Sequence, residues 1–191
     1  MLVLIAIISY LLGSIPAGFI IGKLVYKTDI RKMGSGNIGT TNAFRNFGKY
    51  AGFATFSLDF FKGILACHIG KLLACANGIY IAMFFVVIGH MFSFLLRFKA
   101  GKGVATIFGS LMYINPVFAL TLFTIFLILL FLSRIVSFAS ISLAIIAIIY
   151  GLISFGINLF TISLSILSII ILIKHQDNFK RLVKKEEKKM F

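Results

Sequence analysis

The sequence predicts an all-α integral membrane protein with seven transmembrane helices, and three observations lead to that fold class. Of the 191 residues, 60% are hydrophobic and 13% are charged, whereas soluble domains average roughly 45–50% apolar and 25% charged residues. The apolar runs are continuous over about 20 residues, as helices require and membrane barrels do not. Basic residues are concentrated between these runs. We expect residues 1–191 to form a single domain.

The elements follow from the apolar runs and their boundaries. The first run, 2–22, is expected to be a retained helix rather than a cleaved signal peptide, because Lys23 and Lys27 follow it instead of preceding it. A polar stretch at 23–49 has room for one short interfacial helix, and Asn115-Pro116 ends the fourth run. The other predicted helices span 50–70, 78–96, 103–114 (short), 116–133, 135–154 and 158–174, with a basic tail over 174–191.

Charge predicts the orientation of these helices. All lysines and arginines except Lys62 and Lys71 follow the first, third, fifth or seventh run. The positive-inside rule therefore places the N-terminus outside and the C-terminus in the cytoplasm. The fourth run must cross or re-enter deeply to keep these groups on one side, although 12 residues cover only about 18 Å. The net charge of +14 is explained by orientation and by anionic lipid headgroups, so no nucleic-acid partner is expected.

A small polar loop stands out in this apolar chain. Residues 34–42 read Gly-Ser-Gly-Asn-Ile-Gly-Thr-Thr-Asn, and Arg45 follows one turn later. Glycines let successive N–H groups turn toward one point, which makes an anion site, and an arginine adds a bidentate fork. A flexible linker between two helices is the alternative. The candidate phosphate ligands of this loop are Gly34, Ser35, Gly36, Asn37, Thr41, Asn42 and Arg45.

A second loop, 98–106, reads Phe-Lys-Ala-Gly-Lys-Gly-Val-Ala-Thr and opens the short fourth helix. A helix N-terminus preceded by glycines and by Lys102 is a second candidate anion site. It is not a nucleotide-binding P-loop, because Lys102 is followed by Gly103 rather than by serine or threonine.

Polar side chains also flank the last two helices. His175 and Asn178 are three residues apart and share a face if the seventh helix continues by one turn. Ser137 and Ser140 add hydroxyls near the start of the sixth helix. The predicted topology brings these groups and both loops to one side of the membrane, where they could bind a polar substrate.

Several polar residues inside the helices leave alternatives open. Asp59 and Lys62, three residues apart in the second helix, are either functional or a mutually neutralised structural pair. His90 and His68 are interpreted as structural. Cys67 and Cys75 fit no metal-ligand spacing and are interpreted as packing residues. No metal or cofactor is expected.

Six motifs occur in order along the chain: Ser14-Ile15-Pro16, the 34–42 loop with Arg45, Asp59-x-x-Lys62-Gly63, Gly89-His90-x-Phe92, the 98–106 loop and His175-x-x-Asn178-x-x-Arg181-Leu182. Together they resemble the bacterial membrane acyl-phosphate:glycerol-3-phosphate acyltransferase family over nearly the whole chain. Two positions depart from the family pattern. Ala100 stands where the family usually has glycine, and residues 183–186 replace a Gly-Thr-Glu-like ending, so no role is given to Glu186.

The resemblance implies a multi-pass protein of the bacterial cell membrane with its active site at the cytoplasmic face. It implies transfer of a fatty acyl group from acyl-phosphate to the 1-hydroxyl of glycerol 3-phosphate, in the first acylation step of phospholipid synthesis. A soluble phosphate acyltransferase would supply the acyl-phosphate. The catalytic residues implied by analogy are Ser35, Ser140, His175 and Asn178. The implied substrate-binding residues are Gly34, Gly36, Asn37, Thr41, Asn42, Arg45 and Lys102.

Two other functions remain open. An acyltransferase that uses acyl-CoA or acyl-carrier protein would carry a His-x-x-x-x-Asp motif, but Leu73, Leu95 and Lys180 stand five residues after the three histidines. Asp59 and Lys62 inside a membrane helix would also suit an anion or lipid-phosphate transporter. It would need a polar path across the bilayer, whereas the polar residues are predicted to cluster on one side.

Overall fold

The computed structural model of the chain describes residues 1–190, and these contain helices and turns but no β-strand. The helical fold class is therefore confirmed. Chain contacts divide the molecule into two compact units, Met1–Ile114 and Asn115–Phe191. The helices of the first unit are α1 (Leu2–Ser14), α2 (Ala17–Leu24), α3 (Thr40–Phe47), α4 (Lys49–Met91) and α5 (Val104–Ile114). Those of the second are α6 (Pro116–Ser133), α7 (Val136–Phe155), α8 (Leu159–Lys174) and α9 (Gln176–Val183).

The first predicted helix is broken in its middle. Helix α1 ends at Ser14 and α2 begins at Ala17, with Ile15 and Pro16 between them. Proline has no N–H to donate and its ring clashes with the preceding turn, which explains the break. The break releases the Ile15 carbonyl, which accepts a hydrogen bond from Lys62 Nζ at 3.0 Å.

Helix α4 contains the second predicted helix and most of the third. The third was predicted to reach residue 96, but α4 ends at Met91 and a separate 3₁₀ turn spans Phe94–Leu96. Ala74 (φ −152°) and Cys75 (φ +48°) have non-helical backbone angles and separate a first arm, 49–73, from a second arm, 76–91. The arms fold back on each other, since Cys67 Sγ contacts the Ile79 carbonyl at 3.9 Å and Lys62 Nζ lies 2.9 Å from His90 Nδ1. Gly70 and Gly78 let the two backbones touch, because a Cβ on either would overlap the other's carbonyl.

Helix α5 packs on the first arm of α4. A Cβ on Gly63 would overlap the Thr106 carbonyl, and a Cβ on Gly109 would overlap the Phe60 carbonyl. Small residues that allow such close approach are typical of helix pairs in membranes. With 11 residues, α5 is one residue shorter than the short fourth helix that the sequence predicted.

The second unit has an aromatic core. Phe118 is 1% exposed, and its ring stacks on Tyr150 at 4.8 Å and meets Phe155 edge-on at 5.4 Å. The capping box of Asn158 and Thr161 starts α8. Helices α8 and α9 meet at an angle of 56°, with His175 between them, so the predicted continuation of the seventh helix is present but bent.

Within residues 1–190, four helical stretches are long and apolar enough to cross a membrane, and a fifth qualifies if the bent pair α8–α9 is one span. The stretches are Leu2–Leu24, Lys49–Leu96, Pro116–Ser133 and Val136–Phe155. The count of seven crossings and the side on which each terminus lies stay predictions, as does the single domain.

Candidate functional site

Asn42 holds together the glycine-rich loop 34–42. Its side chain is nearly buried, with 4% of the residue exposed. The Nδ2 group donates to the carbonyls of Met33 at 3.0 Å and Asn37 at 2.8 Å, and Oδ1 accepts from the Ser35 N–H at 3.1 Å. One side chain therefore ties three points of the loop to the first turn of α3. These bonds give Asn42 a shaping role, while its contact with a substrate stays a prediction.

The loop also uses several of its own amides. The Gly36 N–H donates to the Met33 carbonyl at 2.9 Å, and the Gly39 N–H donates to Asn37 Oδ1 at 2.8 Å. Gly36 has φ +71°, which only glycine adopts without strain. The sequence predicted that these amides face a phosphate. Since they are engaged within the loop, the groups left to serve an anion are the loop hydroxyls and the N-terminus of α3.

Arg45 lies on α3, one turn after Thr41, and is exposed. The next residue, Asn46, donates to both the main-chain carbonyl and Oδ1 of Asn42 at 2.9 Å. The same short helix therefore carries the candidate phosphate ligand and braces the residue that shapes the loop.

The second loop, 98–106, lies between the second arm of α4 and α5, and its last three residues are the first residues of α5. Arg97 and Phe98 both have positive φ (+53° and +62°), so the chain reverses sharply here. Gly103 has φ +85° and is buried between side chains of the second arm, Met91 and Val87. Lys102 is half-buried, immediately before the N-terminus of α5, as the sequence predicted.

The structure brings the two loops of the first unit together. Ile38 and Ala43 from the first loop region and Leu96 from the approach to the second form one buried apolar cluster, with Ile30. Ala100 packs against the edge of this cluster. Ala100, which stands where the family usually has glycine, therefore adds an apolar contact, and the loop keeps its glycines at 101 and 103.

His175 occupies the bend between α8 and α9 and is 4% exposed. Its Nδ1 lies 2.8 Å from the Ile171 carbonyl, and because a carbonyl only accepts, Nδ1 must carry the proton. In the neutral ring this leaves Nε2 as the nitrogen with a lone pair. The geometry suits a general base. Ser140, also in the second unit, is buried on the first two turns of α7.

Glu187 is a functional candidate that the sequence reasoning missed. Its carboxylate accepts from Ser137 Oγ at 2.9 Å, Asn178 Nδ2 at 2.7 Å and Arg181 Nε at 2.6 Å. This carboxylate holds the Asn178 side chain, and it lies one residue after the Glu186 that received no role. A signal was present, because an acidic side chain within a lysine-rich tail needs partners.

The pKa of Glu187 is lowered below its ordinary value. Burial alone would raise the pKa by disfavouring the charged form, but the hydrogen bonds from Arg181, Asn178 and Ser137 outweigh it. The carboxylate is therefore charged at neutral pH, and the stabilisation that it gives is lost as pH falls through the lowered pKa.

Comparisons with known proteins identify the family of this chain. The sequence model of a family described as glycerol-3-phosphate acyltransferase matches residues 3–185. Proteins named glycerol-3-phosphate acyltransferase from Carboxydothermus hydrogenoformans and Finegoldia magna are 51% and 45% identical, over 59% and 63% of this chain. The matches span 57% and 61% of those relatives.

Two solved structures are also similar over the chain. Both are of PlsY (YgiH), an integral membrane glycerol 3-phosphate acyltransferase, at 34% identity over 98% of this chain and 94% of that chain. The glycerol 3-phosphate form gives a TM-score of 0.91, and the lysophosphatidic acid form gives 0.87.

Proposed function

The chain belongs to the glycerol-3-phosphate acyltransferase family, and we propose that it transfers a fatty acyl group from acyl-phosphate to the 1-hydroxyl of glycerol 3-phosphate. The products are lysophosphatidic acid and inorganic phosphate. The observation that carries the proposal is the similarity over 98% of the chain to PlsY, whose two structures are the glycerol 3-phosphate and lysophosphatidic acid forms. Those two molecules are the acceptor and the product of this reaction.

The first unit supplies the phosphate-binding groups in this proposal. The side chains of Ser35, Asn37 and Thr41 surround one phosphate. Gly34 and Gly36 give the loop its shape through their positive φ angles, and Asn42 fixes the loop that carries these side chains. Arg45 and Lys102 neutralise phosphate charge. This assignment is supported by the one apolar cluster on which both loops pack. Ala43 in that cluster and Ala100 at its edge lie two residues before Arg45 and Lys102, and cationic side chains are the groups that bind phosphate.

The second unit supplies the groups for the acceptor. His175 and Asn178 bind and orient glycerol 3-phosphate, and Ser140 serves the reacting carbonyl. The buried carboxylate of Glu187 restrains the Asn178 amide, which lowers the entropy lost when substrate binds. Glycerol 3-phosphate is small and polar, and buried donors at fixed positions are the groups that recognise such a molecule.

The chemistry requires positioning more than a strong nucleophile. The 1-hydroxyl oxygen attacks the acyl carbon, the bond from that carbon to the phosphate oxygen breaks, and phosphate leaves with the electron pair. The hydroxyl proton passes either to His175 Nε2 or to the departing phosphate. Acyl-phosphate is a mixed anhydride with a good leaving group, so proximity and preorganised electrostatics supply most of the rate.

The proposal places the reaction at the cytoplasmic face of a bacterial membrane. The two arms of α4 give two crossings and the short α5 gives one. The pair α1–α2 and the helices α6, α7 and α8 give one crossing each, which makes seven. An odd number puts the termini on opposite sides, with the basic tail inside. A soluble phosphate acyltransferase would deliver the acyl-phosphate there.

Purified protein in detergent tests the reaction. With glycerol 3-phosphate and palmitoyl-phosphate, and without added metal, we expect lysophosphatidic acid and phosphate in equal amounts. Palmitoyl-CoA in place of palmitoyl-phosphate is the matched donor control and should give little product. Equal activity with palmitoyl-CoA would instead indicate an acyl-CoA enzyme. Absence of product in detergent, with phosphate uptake in vesicles, would indicate a transporter.

A further inference from the structure

Three charged or titratable side chains form a buried cluster in the first unit, away from the residues assigned to substrate. Asp59 and Lys62 of the first arm of α4 and His90 of the second arm are 2%, 7% and 5% exposed. Lys62 Nζ lies 2.7 Å from Asp59 Oδ1 and 2.9 Å from His90 Nδ1. Its third neighbour is the Ile15 carbonyl at the α1–α2 break, at 3.0 Å. We call these side chains the Asp59–Lys62–His90 cluster.

The cluster fixes the orientation of the His90 ring. Nδ1 of the ring lies within hydrogen-bond distance of Lys62 Nζ, at 2.9 Å. Asp59 Oδ1 is 3.3 Å from the same Nδ1 and balances the charge of Lys62. With Lys62 held by a carboxylate and a carbonyl, the imidazole has one favoured position between the two arms.

His90 in turn contacts the second loop at Gly101, the residue before Lys102. The Gly101 N–H donates to the His90 carbonyl at 3.2 Å. A Cβ on Gly101 would overlap Nε2 of the His90 ring, so the ring packs directly against the loop backbone. The loop is therefore held on this side by a backbone hydrogen bond and by the imidazole.

Stability alone does not account for the cluster. A buried ion pair costs desolvation energy, and well-packed apolar side chains often stabilise a protein equally well. This cluster also provides a defined position for the loop backbone at Gly101, which packs against the His90 ring. We infer that the Asp59–Lys62–His90 cluster is a positioning device that sets the place of the Gly101–Lys102 backbone, and through it the Lys102 ammonium. The inference rests on the proposed function for the phosphate-binding role of Lys102.

Two variants break this contact from opposite sides. Asp59→Asn with Lys62→Met removes both charges together, so that neither is left buried alone, and releases His90. Gly101→Ala leaves the charges in place and pushes the loop off the ring. Thr55→Val is the matched control, because Thr55 is buried in the same arm and its hydroxyl bonds only to the Ala51 carbonyl of its own helix, at 2.8 Å.

Hydrogen exchange of the purified protein measures the effect without substrate. We expect both variants to raise amide exchange in residues 98–104 by about tenfold or more while residues 34–42 keep the wild-type rate. Displacing Lys102 by about 1 Å should lower kcat/KM about 100-fold at unchanged expression in the membrane. Thr55→Val should change neither quantity.

Unchanged exchange at 98–104 in both variants would overturn the inference, and so would an equal rise at 34–42, which would indicate general loosening. If one variant fails to fold, the other still decides. The exchange result stands on its own even if the wild type transfers no acyl group, a result that would refute the proposed function instead.

Discussion

The glycine-rich loop 34–42 and the helix end 175–187 are both organised by one buried polar side chain, but of different kinds. Asn42 is neutral, and its partners in and just before the loop lie within 12 residues of it along the chain. Glu187 is charged and reaches Ser137, 50 residues away in sequence. A neutral, local organiser gives a loop whose shape is independent of pH. A charged, distant one ties the geometry of Asn178 to a titration and to the fold of the second unit.

The largest expected effect is at His175, because the lone pair on Nε2 of its neutral ring can accept a proton from the substrate hydroxyl. His175→Ala should lower kcat/KM by about 100- to 10,000-fold, the range typical of a lost general base. His175→Asn keeps a hydrogen-bonding group but cannot take up a proton. Near-full turnover of the asparagine variant across pH 6–8 would show that His175 only orients the acceptor.

The next effect is at Asn42. Asn42→Asp replaces the donating Nδ2 by an oxygen that faces the carbonyls of Met33 and Asn37. Each lost bond to a buried group costs about 1–3 kcal/mol, so we expect at least a 100-fold lower kcat/KM, with the protein still inserted in the membrane.

Asn46→Ala is the matched control for Asn42, because it removes two bonds to Asn42 and leaves the loop's own bonds in place. It should cost less than about tenfold. Kinetics in detergent give kcat/KM for each variant, and a thermal melt gives its stability. Equal losses in the two variants would mean that Asn42 does not organise the loop.

The loop backbone gives a smaller effect. Gly36→Ala and Gly48→Ala each place a side chain at positive φ, +71° and +88°, at a cost of about 1–3 kcal/mol. Gly48 has open space around it, whereas a Cβ at Gly36 lies 3.2 Å from the Arg31 carbonyl. Both should lower the melting temperature similarly, but only Gly36→Ala should reduce turnover. Equal activity in both would mean that residues 34–42 act as a linker.

The smallest effect at neutral pH is at Glu187. Glu187→Gln keeps the shape and the acceptor oxygen but loses the charge that faces Arg181, so we expect a three- to tenfold lower kcat/KM, or about 1 kcal/mol. Below pH 5 the difference in stability should shrink, because the lowered pKa of Glu187 makes the wild type lose its advantage as the carboxylate protonates.

Glu186→Gln is the control, since Glu186 is exposed. Melting curves from pH 3 to 7 compare the three proteins. If the melting temperature of Glu187→Gln differs from that of the wild type by the same amount at every pH, the charge of Glu187 does not stabilise this region.

Helix positions could be read from the sequence because apolar runs and Pro-containing boundaries determine them. Predicted helix 116–133 coincides with α6, and 103–114 differs from α5 by one residue. The break at Ile15-Pro16 was not predicted, because the apolar run continues through it. The bend at His175 was not predicted either, since the backbone turns there without glycine or proline.

The sequence predicts which residue types form the candidate site, but it does not predict which of these residues contact one another. Glycines and Arg45 indicate an anion-binding loop, but only the folded structure shows that the Asn42 side chain is hydrogen-bonded to the backbone of that region. Glu187 was missed because its partner Ser137 lies 50 residues away in sequence and reaches it only through folding of the second unit, although Asn178 and Arg181 are close to it along the chain. Asp59 and Lys62 could be paired from their spacing, whereas the third member, His90, lies 28 residues further along.

The most direct measurement of the central claim, that both regions serve one acyl transfer, is product formation by Ser35→Ala and His175→Ala beside the wild type. Each protein is given palmitoyl-phosphate and glycerol 3-phosphate in detergent, and lysophosphatidic acid and phosphate are quantified together. We predict equal amounts of both products from the wild type and at least a 100-fold loss of both from each variant. Full turnover by either variant, or phosphate release by the wild type without lysophosphatidic acid, would contradict the claim.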